Sequence, residues 1–231
     1  MLFQYRPTIV IDNFYDDPML VRKYALNCDY YYYGESASAQ ERKEVSWLSS
    51  FREQRYFQQA VKQKFEAILS EKIDESHWYL GTLWNGTFRC KLDNSKQGIH
   101  NHAMNIGNGC GSEGWTAIVF LSPNPKPQSG LHIFTHKFKS FPDDEPFFID
   151  FDMDSWNVSQ SFLNVFNRVV IMPSVAYHSG DVGWGDSMEE ARLIQTFFFK
   201  GEGRSSFHAP DYSDMERVIE THYKERVTWY G

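Results

Sequence analysis

The chain has 231 residues, of which 42% are hydrophobic and 17% aromatic, enough for one globular domain with a sizeable core. Its formal net charge of −7 gives no electrostatic reason to expect nucleic acid or an anionic membrane as a partner, since both favour a basic face. Three cysteines (Cys28, Cys90 and Cys110) without C-x-x-C spacing suggest neither a disulfide framework nor a thiolate zinc site. No apolar run approaches the roughly 20 residues needed to span a bilayer, so a cytoplasmic protein is expected. Its oligomeric state is left open.

Residues 7–12 (PTIVID) read as a short buried strand. Asp16-Asp17-Pro18 then sets an acidic cap before a proline at the first helical position, and a helix through Val21, Tyr24 and Ala25 should follow. A second helix is predicted over 53–73, where Phe57, Val61, Phe65, Ile68 and Leu69 recur at helical spacing. From about residue 77 strand signals dominate. Residues 78–84 and 87–92 read as two strands around the hairpin dipeptide Asn85-Gly86. Further strands are predicted at 115–121, 130–134, 147–151, 164–172 and 192–199, with irregular loops at 30–44 and 137–156. A helix is predicted at 211–227. Many short strands after a helical start predict a mainly β fold braced by helices, a two-sheet sandwich or barrel. The whole chain reads as one domain: a support region to about 76, a β core over 77–200 and the terminal helix.

Two histidines at i and i+2 of an extended segment, His100 and His102, point to one face, and His178 can join them from a distant strand end. Three imidazoles suit Fe(II), zinc, copper or nickel, so the ligands do not choose the metal. His77, His132, His136, His208 and His222 are read as ordinary surface or core residues, with His132 and His136 able to line the mouth of a pocket.

Taken in order, His100-Asn101-His102, His178 and Arg192 resemble the H-x-D, distal His and following Arg of the 2-oxoglutarate-dependent Fe(II) oxygenases, in particular the prolyl-hydroxylase-like group. The phrases IDNFYDDP, WTAIVFLSPN, NVFNRVVIMPSVAYHSG and ARLIQTFFF are similar to that group as well. The resemblance spans roughly residues 8–200. It implies a double-stranded β-helix of the jelly-roll or cupin type, iron held by His100, His102 and His178, and 2-oxoglutarate anchored by Arg192. It further implies ascorbate as a reductant and hydroxylation of a C–H bond in an amino-acid, peptide or small-molecule substrate. A guanidinium suits the far carboxylate of 2-oxoglutarate because it pairs bidentately. Thr196, on the same strand face by parity, can add a hydrogen bond.

His102 stands where the family has a carboxylate. Four readings are open: coordination by His102, a two-histidine site as in related halogenases, substitution by Asp181 or Glu113, and an inactive site. Three functions follow: a 2-oxoglutarate oxygenase, a three-histidine dioxygenase that does not use 2-oxoglutarate, and a non-catalytic β-sandwich that binds a ligand.

Overall fold

The computed structural model describes residues 6–32, 48–50, 54–56, 59–80, 84–92, 97–103, 110–138, 150 and 152–203. Its strands are β1 (Ile9–Ile11), β2 (Tyr30–Tyr32), β3 (Leu48–Ser50), β4 (Phe88–Lys91), β5 (Trp115–Phe120), β6 (Leu131–His136), β7 (Trp156–Phe162), β8 (Val169–Pro173), β9 (His178–Gly180) and β10 (Arg192–Phe199). The helices are α1 (Pro18–Leu26), α2 (Gln59–Leu69) and α3 (Glu75–Leu80). A major sheet runs β1-β8-β5-β10-β4-β3-β2 and a minor sheet β7-β6-β9, with every pairing antiparallel. A bridge between His100 and His178 adds the 97–103 segment to the free side of β9.

Alternation along the major sheet separates two cores. Leu193, Phe197 and Phe199 of β10, with Trp115, Ala117 and Val119 of β5, pack against Val21 and Ala25 of α1, Val61 and Phe65 of α2, and Trp78 of α3. Trp78 stacks on Phe197 at 5.8 Å, and Phe65 sits 5.1 Å from Phe197 and 4.9 Å from Phe199. Each such ring contributes about 2 kcal/mol through burial alone. On the other face Ile118, Phe120, Val170, Met172 and Ile194 meet Leu131 and Ile133 of the minor sheet. The mainly β, helix-braced double-stranded β-helix expected from the sequence is the architecture found.

The first helix follows its sequence signals, with Leu20 N donating to Asp17 Oδ1 at 3.0 Å. Several elements differ. The second helix is shorter than 53–73: Arg55 and Tyr56 lie outside it, and it stops at Ser70, whose φ is +53°. Phe57 falls outside the described residues. Residues 78–80, predicted as strand, are helical because Asp74 caps α3: its Oδ1 accepts from His77 N and from Ser76 Oγ, both at 2.7 Å. Gly86 does turn the chain, with φ +81°, but only β4 follows as a strand. The predicted strand at 164–172 begins only at Val169, because Asn167, with φ +63°, turns the chain and bonds the backbone of Tyr15 through both side-chain atoms. β7 went unpredicted: it is a mostly exposed strand with few apolar residues, Trp156 alone being buried. Of 147–151 only Asp150 is described, bridged to Ile99, and 211–227 lies outside the described residues.

A polar clamp ties α2 to the end of β10. Glu66 accepts from Ile73 N at 3.0 Å and from Lys62 and Lys72 at 3.1 Å each, and Ile73 bridges to Gly201. Burial raises the Glu66 pKa, but these donors outweigh it and bring the pKa down to about 2 from an ordinary 4.5. A carboxylate depressed in the folded state contributes stability above its unfolded pKa and loses it as pH falls through the folded one. Stability should therefore drop between about pH 4.5 and 2. Glu66→Gln should flatten that part of a denaturation series while lowering stability at pH 7.

Candidate metal centre

His100 and His178 are set by one repeated local geometry. Their backbones exchange both ladder hydrogen bonds, at 3.1 Å and 2.8 Å. Each ring then bonds the carbonyl two residues before it: His100 Nδ1 to Gly98 O at 2.9 Å and His178 Nδ1 to Ala176 O at 2.8 Å. A carbonyl only accepts, so Nδ1 carries the proton in both rings and Nε2 presents its lone pair. His102 is held through its backbone, N donating to Ser174 O at 2.8 Å and O accepting from Cys110 N at 2.9 Å. Its ring packs 4.7 Å from that of Phe198.

The structure brings these three histidines together. One ligand nitrogen from each lies within 4.8 Å of the others, and all three side chains are buried. Ring centroids are 4.5 Å apart for His100 and His178, and 5.0 Å from His102 to each. Burial, with His100 beside it, lowers the His178 pKa to about 3, which keeps this imidazole neutral at physiological pH. Converging, buried imidazoles fit a divalent transition ion.

No carboxylate joins the cluster among the described residues. Asp181 is engaged elsewhere, accepting from Gly130 N at 2.8 Å and contacting His132 Nε2 at 3.1 Å, and Glu113 is exposed. Of the other histidines, His77 is buried with its pKa lowered to about 4 by burial and by nearby Lys200, and His136 packs against Trp156. His208 and His222 lie outside the described residues.

Arg192 comes from β10, on the sheet face that Ile194 turns toward the minor sheet. Its Nε donates to Ser129 O at 2.9 Å and its Nη2 to Gly130 O at 3.0 Å, and among the described residues no carboxylate lies within ion-pair distance of it. Burial lowers its pKa to about 10, partly offset by Asp181, so it remains cationic. Gly180 makes room for it, while Gly130 is kept small by the backbone of β7. A Cβ on Gly180, two residues past His178, would stand 3.0 Å from Arg192 Nη2, and one on Gly130 would stand 2.0 Å from Phe162 O. Thr196 shares the face of Arg192 and Phe198, and its buried Oγ1 makes no hydrogen bond. The sequence pattern found the guanidinium but missed the Ser129 and Gly130 carbonyls and Gly180, because main-chain partners distant in sequence carry no residue signature.

No known protein-family profile matches the sequence, and comparison with characterised sequences finds no match either. Solved structures do match. SnoN, a non-heme alpha ketoglutarate dependent epimerase from nogalamycin biosynthesis, was solved with Fe3+, alpha ketoglutarate and nogalamycin RO; it superposes with a TM-score of 0.53 at 12% identity, covering 84% of this chain and 78% of SnoN. An oxidoreductase of the 2OG-Fe(II) oxygenase family from Burkholderia pseudomallei gives 0.51 at 8% identity, covering 87% of this chain and 86% of that one. The chain thus has the double-stranded β-helix fold of the 2-oxoglutarate/Fe(II) oxygenases.

Close approach at Gly180 is testable by coupling. Gly180→Ala should cost about 1–3 kcal/mol by crowding the guanidinium. In an Arg192→Ala background the same substitution should cost almost nothing, as read from a double-mutant cycle in urea.

Proposed function

We propose that the protein is a 2-oxoglutarate- and Fe(II)-dependent oxygenase of the prolyl-hydroxylase-like group, acting on a small molecule and hydroxylating an unactivated C–H bond. One observation carries the reading. Arg192 is a buried cation whose hydrogen bonds among the described residues go to backbone carbonyls, and it lies against Gly180, two residues past His178 of the convergent imidazole trio. A buried charge without a directly paired carboxylate is costly, Asp181 offsetting burial only in part, and a dicarboxylate reaching from a metal to Arg192 supplies one.

In this reading His100, His102 and His178 hold the iron, and Arg192, aided by the Thr196 hydroxyl, receives the far carboxylate of 2-oxoglutarate. When bound, iron and 2-oxoglutarate would with dioxygen supply an oxidant that takes hydrogen from a C–H bond, one oxygen atom going to the substrate and the other to succinate, with carbon dioxide released. The protein's own residues do the rest. The two Nδ1–H···O=C bonds keep Nε2 of His100 and His178 unprotonated and aimed inward. Ser129 and Gly130 fix the guanidinium plane. Ile118, Phe120, Leu131 and Ile133 line a dry interior that limits water access. A small-molecule substrate is favoured because SnoN, which shares the fold, was solved with nogalamycin RO; that SnoN is an epimerase makes the C–H oxidation outcome the part most worth testing.

Favouring the three-histidine alternative is the proximity of the His102 ring; that reading has no use for a buried Arg192. Thermal shift separates the two. Mn(II) should raise the melting temperature, and 2-oxoglutarate should raise it further only with the metal present. Arg192→Ala should abolish the second increment and keep the first, whereas His102→Ala should lose both. A metal increment with no 2-oxoglutarate increment would instead support the alternative. With Fe(II) and oxygen, 2-oxoglutarate should be consumed to succinate at a slow uncoupled rate, measured by mass spectrometry.

A further inference from the structure

A guanidinium is a planar array of N–H donors on a flexible stem, so a site that relies on Arg192 needs something to fix its plane. Nε is committed to Ser129 O and one hydrogen of Nη2 to Gly130 O, which leaves the Nη1 side to meet a carboxylate. Both acceptors belong to an irregular connection that becomes strand only at Leu131. Their position has to be set from outside that segment.

Asp181 sets it. Leu131 pairs with Gly180 at the end of the β6–β9 ladder. At the next position Asp181 N donates to Gly130 O at 3.1 Å, and Asp181 Oδ2, in place of a main-chain carbonyl, accepts from Gly130 N at 2.8 Å. Amide and carbonyl of Gly130 are thus both held by one residue, the amide through a charge-assisted bond. The β7 backbone confines Gly130 further, since a Cβ there would stand 2.0 Å from Phe162 O. Asp181 is itself held. His132 Nε2 lies 3.1 Å from each of its carboxylate oxygens, and His132 Nδ1 lies 2.8 Å from Ser161 Oγ. A carboxylate only accepts, so Nε2 carries the proton of this contact. A continuous chain of hydrogen bonds therefore runs from Ser161 through His132, Asp181 and Gly130 to the buried guanidinium.

Asp181 acts on Arg192 in two opposed ways. Its bond to Gly130 keeps the guanidinium plane in one orientation, which favours a carboxylate arriving along that plane. Its negative charge offsets part of what burial takes from the Arg192 pKa, and the same Coulomb effect makes the arginine less attractive to an anion. The two are separable, because asparagine at 181 keeps an acceptor for Gly130 N and removes the charge.

We propose that Asp181 is a positioning residue for the cofactor end of the site: it orients Arg192 through the Ser129–Gly130 peptide and so sets the affinity for the far carboxylate of 2-oxoglutarate, without touching metal or cofactor. The assignment rests on reading the trio and Arg192 as the iron and 2-oxoglutarate site. His132 keeps the Asp181 carboxylate turned toward Gly130.

The test uses the full chain loaded with Mn(II) and titrated calorimetrically with 2-oxoglutarate and with oxalate, a metal chelator that lacks the far carboxylate. Asp181→Ala should weaken 2-oxoglutarate binding about tenfold or more, and change Mn(II) and oxalate affinities by less than about threefold. Asp181→Asn should bind 2-oxoglutarate within about threefold of the wild-type protein, or more tightly. His132→Ala, at a partly exposed position, should weaken 2-oxoglutarate about threefold and spare oxalate, and it decides by the same split should Asp181→Ala fail to fold. Equal losses for the two chelators would make Asp181 a merely structural residue and overturn the proposal. So would an unchanged 2-oxoglutarate affinity in Asp181→Ala, or an asparagine variant as weak as the alanine one, which would assign the effect to charge. Should the wild-type protein fail to bind 2-oxoglutarate, the oxygenase reading falls, and the orientation of Arg192 is decided in the metal-free protein by NMR. There the Arg192 Nε–H should exchange with water about tenfold or more faster in Asp181→Ala than in the wild-type protein, and equal rates would overturn the assignment.

Discussion

Everything in the site depends on the alternation of β10. Its eight residues are all buried, yet they belong to two different environments. Leu193, Phe197 and Phe199 are locked among the aromatic rings under the helices, while Ile194 faces the minor sheet and Arg192, Thr196 and Phe198 share its parity. Gln195, on the helix side, reinforces this by accepting from the Tyr15 hydroxyl at 2.6 Å and donating to Gly86 O at 2.9 Å. A one-residue slip would place the guanidinium in an aromatic core and expel two phenylalanines into a polar cavity. The apolar packing of the back face is thus what aims the functional front face, and the two cannot be separated energetically.

A second constraint works along the minor sheet. Pairing His100 with His178 as a single antiparallel bridge puts two imidazoles side by side without any regular strand at residues 101–103. The chain can therefore bend after His100, and His102 returns to the same centre through bonds to Ser174 and Cys110. A carboxylate at this place would neutralise one charge of a bound ion and stand on a shorter side chain. An imidazole fills more of the cavity and leaves the charge in place, which shifts the demand for negative charge onto whatever enters next.

Much of this was legible in the sequence because the relevant signals are local. RLIQTFFF shows the alternation of β10, the i, i+2 spacing of His100 and His102 shows a shared face, and Asp17-Pro18 marks the start of α1. Features settled between distant segments were not. Trp78 and Tyr79 read as strand because aromatics favour strands, and the capping carboxylate of Asp74 four residues earlier prevailed. β7 carries serines and an asparagine on exposed positions, and Gln160 interrupts the alternation of Trp156, Val158 and Phe162. The carbonyls that grip Arg192 are main-chain atoms some sixty residues away, set there by the β6–β9 pairing.

FRCK, the sequence of β4, shows how a correct pattern can still mislead. Phe88 and Cys90 alternate with Arg89 and Lys91, and the simplest reading of such a strand puts the cations in water. In a closed pair of sheets the face opposite the aromatic core is a second interior. The cations are then buried, where Coulomb interactions are several times stronger than at an exposed surface. Their register against Ile194 and Arg192, rather than their composition, puts two cations on the interior face of the sheet. The same hydrogen-bond ladder that fixes Arg192 fixes Arg89 and Lys91, so the three cations are parts of one rigid surface.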